Sequence, residues 1–172
     1  MGYSQSLERA DFYLPDVIED IVNTMSKDIE VYYRFGHWIE IANILQELGQ
    51  HRNYENTKFP LFYIPVGHKT NILDATLNEV TFSLYIISGS EIKYSSKERL
   101  DHIMKTVLMP IYNLWKIKLI DNVWFRTKNY IEIPHDEEKL YYLGAKDSNQ
   151  NRLNQVCDAI YLNYNNIKIN KL

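Results

Sequence analysis

The chain has 172 residues, with 19 Lys and Arg against 22 Asp and Glu, giving a net charge of -3. That length supports one domain with a real core, and the charge leaves no basic footprint for gripping nucleic acid. A single cysteine, Cys157, excludes an intramolecular disulfide and a cysteine-built metal site.

The opening "MGYSQS" fits the Met-Gly-x-x-x-Ser myristoylation pattern, but a flexible, tyrosine-bearing arm over residues 1–13 is the simpler reading. No charged-then-apolar secretory pattern and no run as long as a membrane span is present, so a soluble protein, intracellular when made, is expected. Ile, Asn, Lys and Tyr are abundant while Ala, Gly and Pro are scarce. An AT-rich coding sequence accounts for such a bias as well as function does, so the 14 tyrosines are discounted, although tyrosine enrichment also suits a protein with extensive interfaces.

The single domain is expected over 14–172. Leu14, Val17, Ile18, Ile21, Val22 and Met25 follow the rhythm of an amphipathic helix, with Pro15, Asp16, Glu19 and Asp20 suited to its start. The apolar piece "IEVYYRF" leads to Gly36. A second helix from His37 carries Trp38, Ile41, Ala42, Leu45 and Leu48, with Gly49 at its C-terminal cap. After a polar loop, "FPLFYIPV" predicts a strand that is short or next to a sheet edge, because Pro60 and Pro65 lack ladder donors.

A loop is expected through "GHKTNILDATLN". In "EVTFSLYIIS", Val80, Phe82, Leu84 and Ile86 alternate with Glu79, Thr81 and Ser83, the pattern of a strand with one covered face. Ser95 and Glu98 have capping-box spacing and open the longest helix, whose stripe runs from Leu100 through Ile103, Met104, Val107, Leu108, Ile111 and Leu114 to Trp115. Pro110 should kink or split it near Met109.

"VWFRTKNYIEIP" and "KLYYLG" predict two strands around an acidic turn, "HDEE", and the loop "GAKDSNQN" precedes the last strand. There, Val156, Ile160, Leu162 and Tyr164 are even-numbered, whereas Ile167 and Ile169 are odd. Alternate strand residues face opposite sides, so the backbone must bulge or bend at Asn165-Asn166. Either an internal bulge keeps the last residues on their own core, or a bend turns Ile167 and Ile169 toward a neighbour. The order of elements predicts an α+β fold: a mainly antiparallel sheet with helices packed on one face.

Catalytic patterns are sparse. His37, His51, His68, His102 and His135 have no compact ligand spacing, and no phosphate loop or nucleophile elbow is present. The cluster from His135 to Glu138 holds carboxylates suited to a hard cation, although a solvated turn explains it more simply. Asp74 with Glu91 and Lys93 has some likeness to a Mg²⁺-dependent nuclease site, lacking the Pro expected before the first acid. A solvated Glu91/Lys93 turn pair is the preferred alternative.

Three segments carry a family resemblance: "GHWIEIANIL" with "KFPLFYIP", then "YSSKERLDHIMKTVLMPIYNLW", then "YYLGAKDSNQNRLNQVCDAIYLNYNNIKI". In that order, covering about residues 30–170, they resemble neck or tail-completion proteins of tailed bacteriophages and prophages of gut Bacteroidales, including crAss-like phages. The resemblance implies a non-enzymatic, cofactor-free virion protein. It would form a homo-oligomeric ring between portal and tail, a dodecamer by preference or a hexamer, around a channel for double-stranded DNA. The tyrosine-bearing arm and the Pro110 interruption depart from simpler members.

On this reading, contacts fall to Tyr3 and Phe12 in the arm, to His68, Lys69 and Asn71, to Lys146, Asp147 and Asn149, and to Asn165, Asn166, Ile167 and Ile169 at the bend. A mildly acidic channel would repel DNA phosphates and let the duplex slide. A phage-encoded nuclease and a cytosolic protein-binding adaptor are the alternatives.

Overall fold

The computed structural model describes residues 12–50, 59–72, 77–91, 93–125, 132–143 and 156–170. In chain order these form α1 (Leu14–Met25), β1 (Tyr32–Gly36), α2 (Trp38–Gln50), β2 (Leu61–Pro65), β3 (Lys69–Ile72) and β4 (Leu77–Ser90). The chain continues through α3 (Ser96–Glu98), a π-helical stretch (Arg99–Leu108), α4 (Met109–Asp121), β5 (Asp136–Leu143) and β6 (Val156–Asn170). One mixed, mostly antiparallel sheet has the order β1-β2-β4-β6-β5, with β3 beside the first part of β4. The parallel pair, β1 with β2, is joined through α2; β2 is paired on both sides, one strand in from the edge, and its prolines are accommodated because Pro60 precedes the strand and Pro65 lies beyond its pairs with β4.

The main core lies between one sheet face and α1, the π-helical stretch and α4. Phe62, Ile64, Val80, Phe82, Leu84, Ile86, Ile160 and Leu162 meet Ile18, Met25, Leu108 and Trp115 there. Helices thus cover this face, as the expected α+β arrangement requires. The short crossover helix α2 adds Ile41 to a second cluster on the other face, with Leu61, Tyr63, Ile87, Cys157 and Ala159. Cys157 is buried in β6, as its apolar surroundings predict.

The capping box forms as expected: Glu98 N–H donates to Ser95 Oγ at 3.3 Å, and Ser95 N–H donates to Glu98 Oε2 at 2.8 Å. The predicted split at Met109 takes the form of a change in winding, because the helix is π-wound from Arg99 to Leu108 and α-wound from Met109. Met109 N–H reaches back to Met104 O, and the Thr106 hydroxyl to Asp101 O, both five residues earlier. A wider turn just ahead of Pro110 makes room for a ring that clashes with an α-helical carbonyl four residues back.

Three local expectations need correction. Lys69–Ile72 is a strand, not loop, because it continues alongside β4 from Asn78 to Thr81. Asp136, Glu137 and Glu138 lie inside β5, paired with Asn163, Leu162 and Tyr161, not in an acidic turn. Val123–Phe125 is a turn and 132–134 are not strand; Trp124, Phe125 and Ile133 fill the core as loop residues, so apolar content there signals burial without alternation. In addition, α2 runs to Gln50, past Gly49.

The parity change in β6 is an internal bulge. Val80 pairs with Ile167 and Phe82 with Tyr164, so Asn165 and Asn166 together oppose Thr81. Asn166 adopts φ 51°, a left-handed conformation that Asn tolerates. Its N–H donates to Thr81 Oγ1 at 3.0 Å, and the Thr81 hydroxyl donates to Asn166 Oδ1 at 3.3 Å. The extra residue returns Ile167 and Ile169 to the main core, where they are 2% and 0% exposed. The expectation that they face a neighbour is therefore corrected.

Replacing Ile167 or Ile169 with Ala should destabilise the isolated chain by about 2–4 kcal/mol in urea unfolding, the cost of a core cavity. Losses below about 0.5 kcal/mol, as for surface positions, would contradict the bulge geometry.

Candidate functional site

The most strongly built polar cluster joins four segments of chain. Arg99 starts the π-helical stretch, Asp158 points from β6 toward the helix-covered face, and both side chains are 0% exposed. Arg99 Nη1 donates to Asp158 Oδ1 at 3.0 Å and to Ser90 Oγ at 2.9 Å. Its Nη2 donates to Glu91 O at 2.6 Å and its Nε to Tyr94 O at 3.2 Å. The Tyr142 ring covers the guanidinium, 3.7 Å from Cζ, while Tyr142 OH donates to Tyr94 O at 3.0 Å.

Tyr142 reaches that place through a second bulge. Leu140 pairs with Ala159 but Leu143 pairs with Cys157, so β5 takes three steps where β6 takes two. Tyr142 has φ 59°, and its N–H donates to Asp158 Oδ1 at 3.1 Å. Asp158 Oδ2 is buried without a hydrogen-bond partner among the described residues. Taking both charges from water costs several kcal/mol each, and here that is offset by charge-assisted bonds at nearly every guanidinium position. Full burial keeps solutes away from the pair, so its chemistry is that of a fastener.

A second cluster runs through the core behind the sheet. Trp115 Nε1–H donates to Tyr164 OH at 2.8 Å, and the Tyr164 ring stacks on Phe82 with centroids 4.6 Å apart. His135 sits between Tyr112 OH, 2.6 Å from Nε2, and Ile133 O, 2.8 Å from Nδ1. A carbonyl only accepts, so Nδ1 carries the proton, and in the neutral ring Nε2 accepts from Tyr112. Burial raises the pKa of Tyr112 and of Tyr164, with the Glu137 charge adding to the effect at Tyr112.

On the opposite face, register aligns one residue from each of five strands. Arg34 pairs with Tyr63, Tyr63 with Tyr85, Tyr85 with Tyr161, and Tyr161 with Glu138. Tyr63 and Tyr85 are 5.6 Å apart by ring centroids, and Tyr85 and Tyr161 are 4.8 Å apart. The row is basic at the β1 edge, aromatic in the middle and acidic at the β5 edge. Burial, then Tyr85 and Glu40, push Tyr63 up to about 12.

The residues singled out in the sequence are dispersed. Phe12 is half-buried and packs edge-on against Trp124 and Phe125 of its own chain, with centroids 5.2 and 6.4 Å away. His68 lies 6.2 Å from the Phe35 ring, Lys69 is exposed and Asn71 half-buried on β3. Asn165 and Asn166 are exposed on the bulge. Tyr3, Asp74, Lys146, Asp147 and Asn149 lie outside the described residues. Glu91 and Lys93 form an exposed 2.7 Å ion pair with each other, the solvated turn pair that sequence favours.

No group of three or more His, Cys, Asp or Glu is placed to hold a metal ion among the described residues, and no described helix is long and apolar enough to cross a membrane. A groove of about 270 Å³ between α1 and α4, lined by Asp20, Thr24, Lys118 and Asp121 among others, has no such grouping. Arg99, Asp158 and the alignment of the tyrosine row with Arg34 and Glu138 were not legible in the sequence, where Glu138 figured only in the His135–Glu138 cluster. Asp158 did leave a signal, as a lone charge at an even, core-facing position of "VCDAIYLNY". Comparison with protein-family models, curated proteins and solved structures found no match for this chain.

Arg99→Met or Asp158→Ala should each cost about 3–5 kcal/mol in urea unfolding, because each strands a buried charge, whereas Arg99→Met with Asp158→Leu should recover most of the loss. Additive losses in the double variant would remove the pair as the fastener. A pH series offers an independent check. Raised folded pKa values at Tyr33, Tyr63, Tyr112 and Tyr164 mean stability present in full below the ordinary tyrosine value of 10.0. That stability is lost as pH climbs through the folded values, about 12 for Tyr63. Tyrosinate absorbance should therefore rise together with loss of ellipticity; ordinary titration of these phenols in the intact fold would contradict their burial.

Proposed function

We propose that this chain is a virion structural protein that repeats as a ring in a phage head-to-tail connector, linking portal and tail around the DNA channel. It acts by shape and repeated contact, not by catalysis. The observation that carries the reading is the order of the three family-like segments along most of the chain. The physical character of the subunit is compatible with it. A single sheet with different side-chain chemistry at its β1 and β5 edges supplies two unlike surfaces, which a head-to-tail contact repeated by rotation needs.

The partners on this proposal are further copies of the chain, the portal and adjacent neck or tail proteins. A net charge of -3 per copy disfavours adhesion to phosphate, so DNA passes without specific binding. Lys69 and Asn71 on β3 remain proposed contacts with the rings above or below, and the exposed Asn165-Asn166 bulge a proposed contact with a neighbouring copy.

Quantitative mass spectrometry of purified particles tests the proposal. Copies near equal to the portal are expected for a dodecamer, and about half as many for a hexamer. Absence from the particle would overturn the structural role.

A further inference from the structure

The sheet's edges are chemically unlike. β1, "YYRFG", has five residues and one charged side chain, Arg34. β5 begins Asp136-Glu137-Glu138-Lys139, and its ladder to β6 is regular over Asp136–Leu140 before the bulge at Tyr141-Tyr142. The regular stretch of β5 therefore has the same length as β1. Charged edges commonly block wrong pairing, and the signs here show which pairings are blocked. Two β5 edges together would oppose acids, and two β1 edges centred on Arg34 would oppose arginines; like charges directly across a ladder destabilise it. The unlike pair, β5 against β1, is the combination that sets opposite charges together.

We infer that β5 of one copy pairs antiparallel with β1 of the next, with Glu138 opposite Arg34, so that the sheet runs unbroken across the subunit boundary. The inference rests on the ring reading and specifies its joint. Direction agrees: β1 runs parallel to β2, and each step from β2 through β4 and β6 to β5 is antiparallel, so a copy in the same orientation presents β1 antiparallel to β5. Side-chain facing agrees as well. Arg34 and Glu138 lie on the face of the tyrosine row, and the register that opposes them puts Tyr32 opposite Leu140. Both of those residues fringe the second hydrophobic cluster, so the joint would close two ends of one apolar layer. The same register sets Gly36 opposite Asp136, using all five residues of β1. Because the two edges differ, the contact is head-to-tail and closes into a ring when its rotation allows.

Disulfide trapping tests the joint. Within one subunit the two edges are four strand spacings apart, about 19 Å, so Cys at both positions cannot bridge internally. The full-length chain carrying R34C and E138C, oxidised at concentrations where the unmodified chain assembles, should give a ladder of covalent multimers. Charge exchange gives a second readout. R34E or E138R alone should raise the concentration for half-assembly about tenfold or more, and the combined R34E/E138R chain should restore it. Circular dichroism confirms that each variant is folded. Assembly with no covalent ladder and no rescue would overturn the β5-to-β1 joint while leaving the ring reading intact. A chain that stays monomeric at every concentration would also overturn the joint as a self-sufficient contact, and the ring reading would then stand or fall on particle composition.

Discussion

The buried Arg99–Asp158 pair ties the start of the long helix to the β4–β6 ladder and to the outer strand β5. One guanidinium bonds the end of β4 at Ser90, the connecting backbone at Glu91 and Tyr94, and β6 at Asp158. The carboxylate also fixes the N–H of Tyr142, so the outer strand β5 is drawn into the same knot. Apolar residues fill space without preference for partner, whereas a planar guanidinium accepts few arrangements. The pair's contribution is best understood as specificity of arrangement: the long helix must start where Arg99 can reach all of these acceptors at once.

Two bulges solve the same geometrical problem on opposite sheet faces. In β6 the extra residue at Asn165-Asn166 keeps Tyr164 and Ile167 both in the main core. In β5 the extra residue at Tyr141-Tyr142 keeps Leu140 and Leu143 both against the second cluster. Each places one residue in a left-handed conformation, Asn166 and Tyr142 respectively. Asn accepts that backbone readily, while a bulky Tyr does not, so Tyr142 must be held by its surroundings. Its contacts to Arg99, Asp158 and Tyr94 provide the holding.

The helix-covered face and the tyrosine face have different roles. On the first, aromatic contacts such as Trp115 with Tyr164 and Phe82 with Tyr164 lock the helices to the sheet. On the second, the row from Arg34 to Glu138 gives the subunit a direction, with unlike charges at its two ends. A proposed ring built through those ends uses backbone pairing for strength and the end charges for choice of partner. No reactive group is required for such a role.

Periodicity made much of the fold legible. α1, the strand alternation of β4 and the capping box at Ser95 follow from residue types a few positions apart, and each forms as expected. The parity change in β6 was legible as a bulge or bend, because side-chain direction in a strand is a local property. Which side Ile167 and Ile169 would meet was not, since that depends on what covers the sheet. The same limit concealed the site: Arg99 and Asp158 are 59 positions apart, and the residues of the tyrosine row come from five strands. Local spacing determined the elements and marked where their regularity breaks; only tertiary packing decided which distant charges would be buried together and which would be left at the edges, because burial and strand register are set by the whole sheet at once.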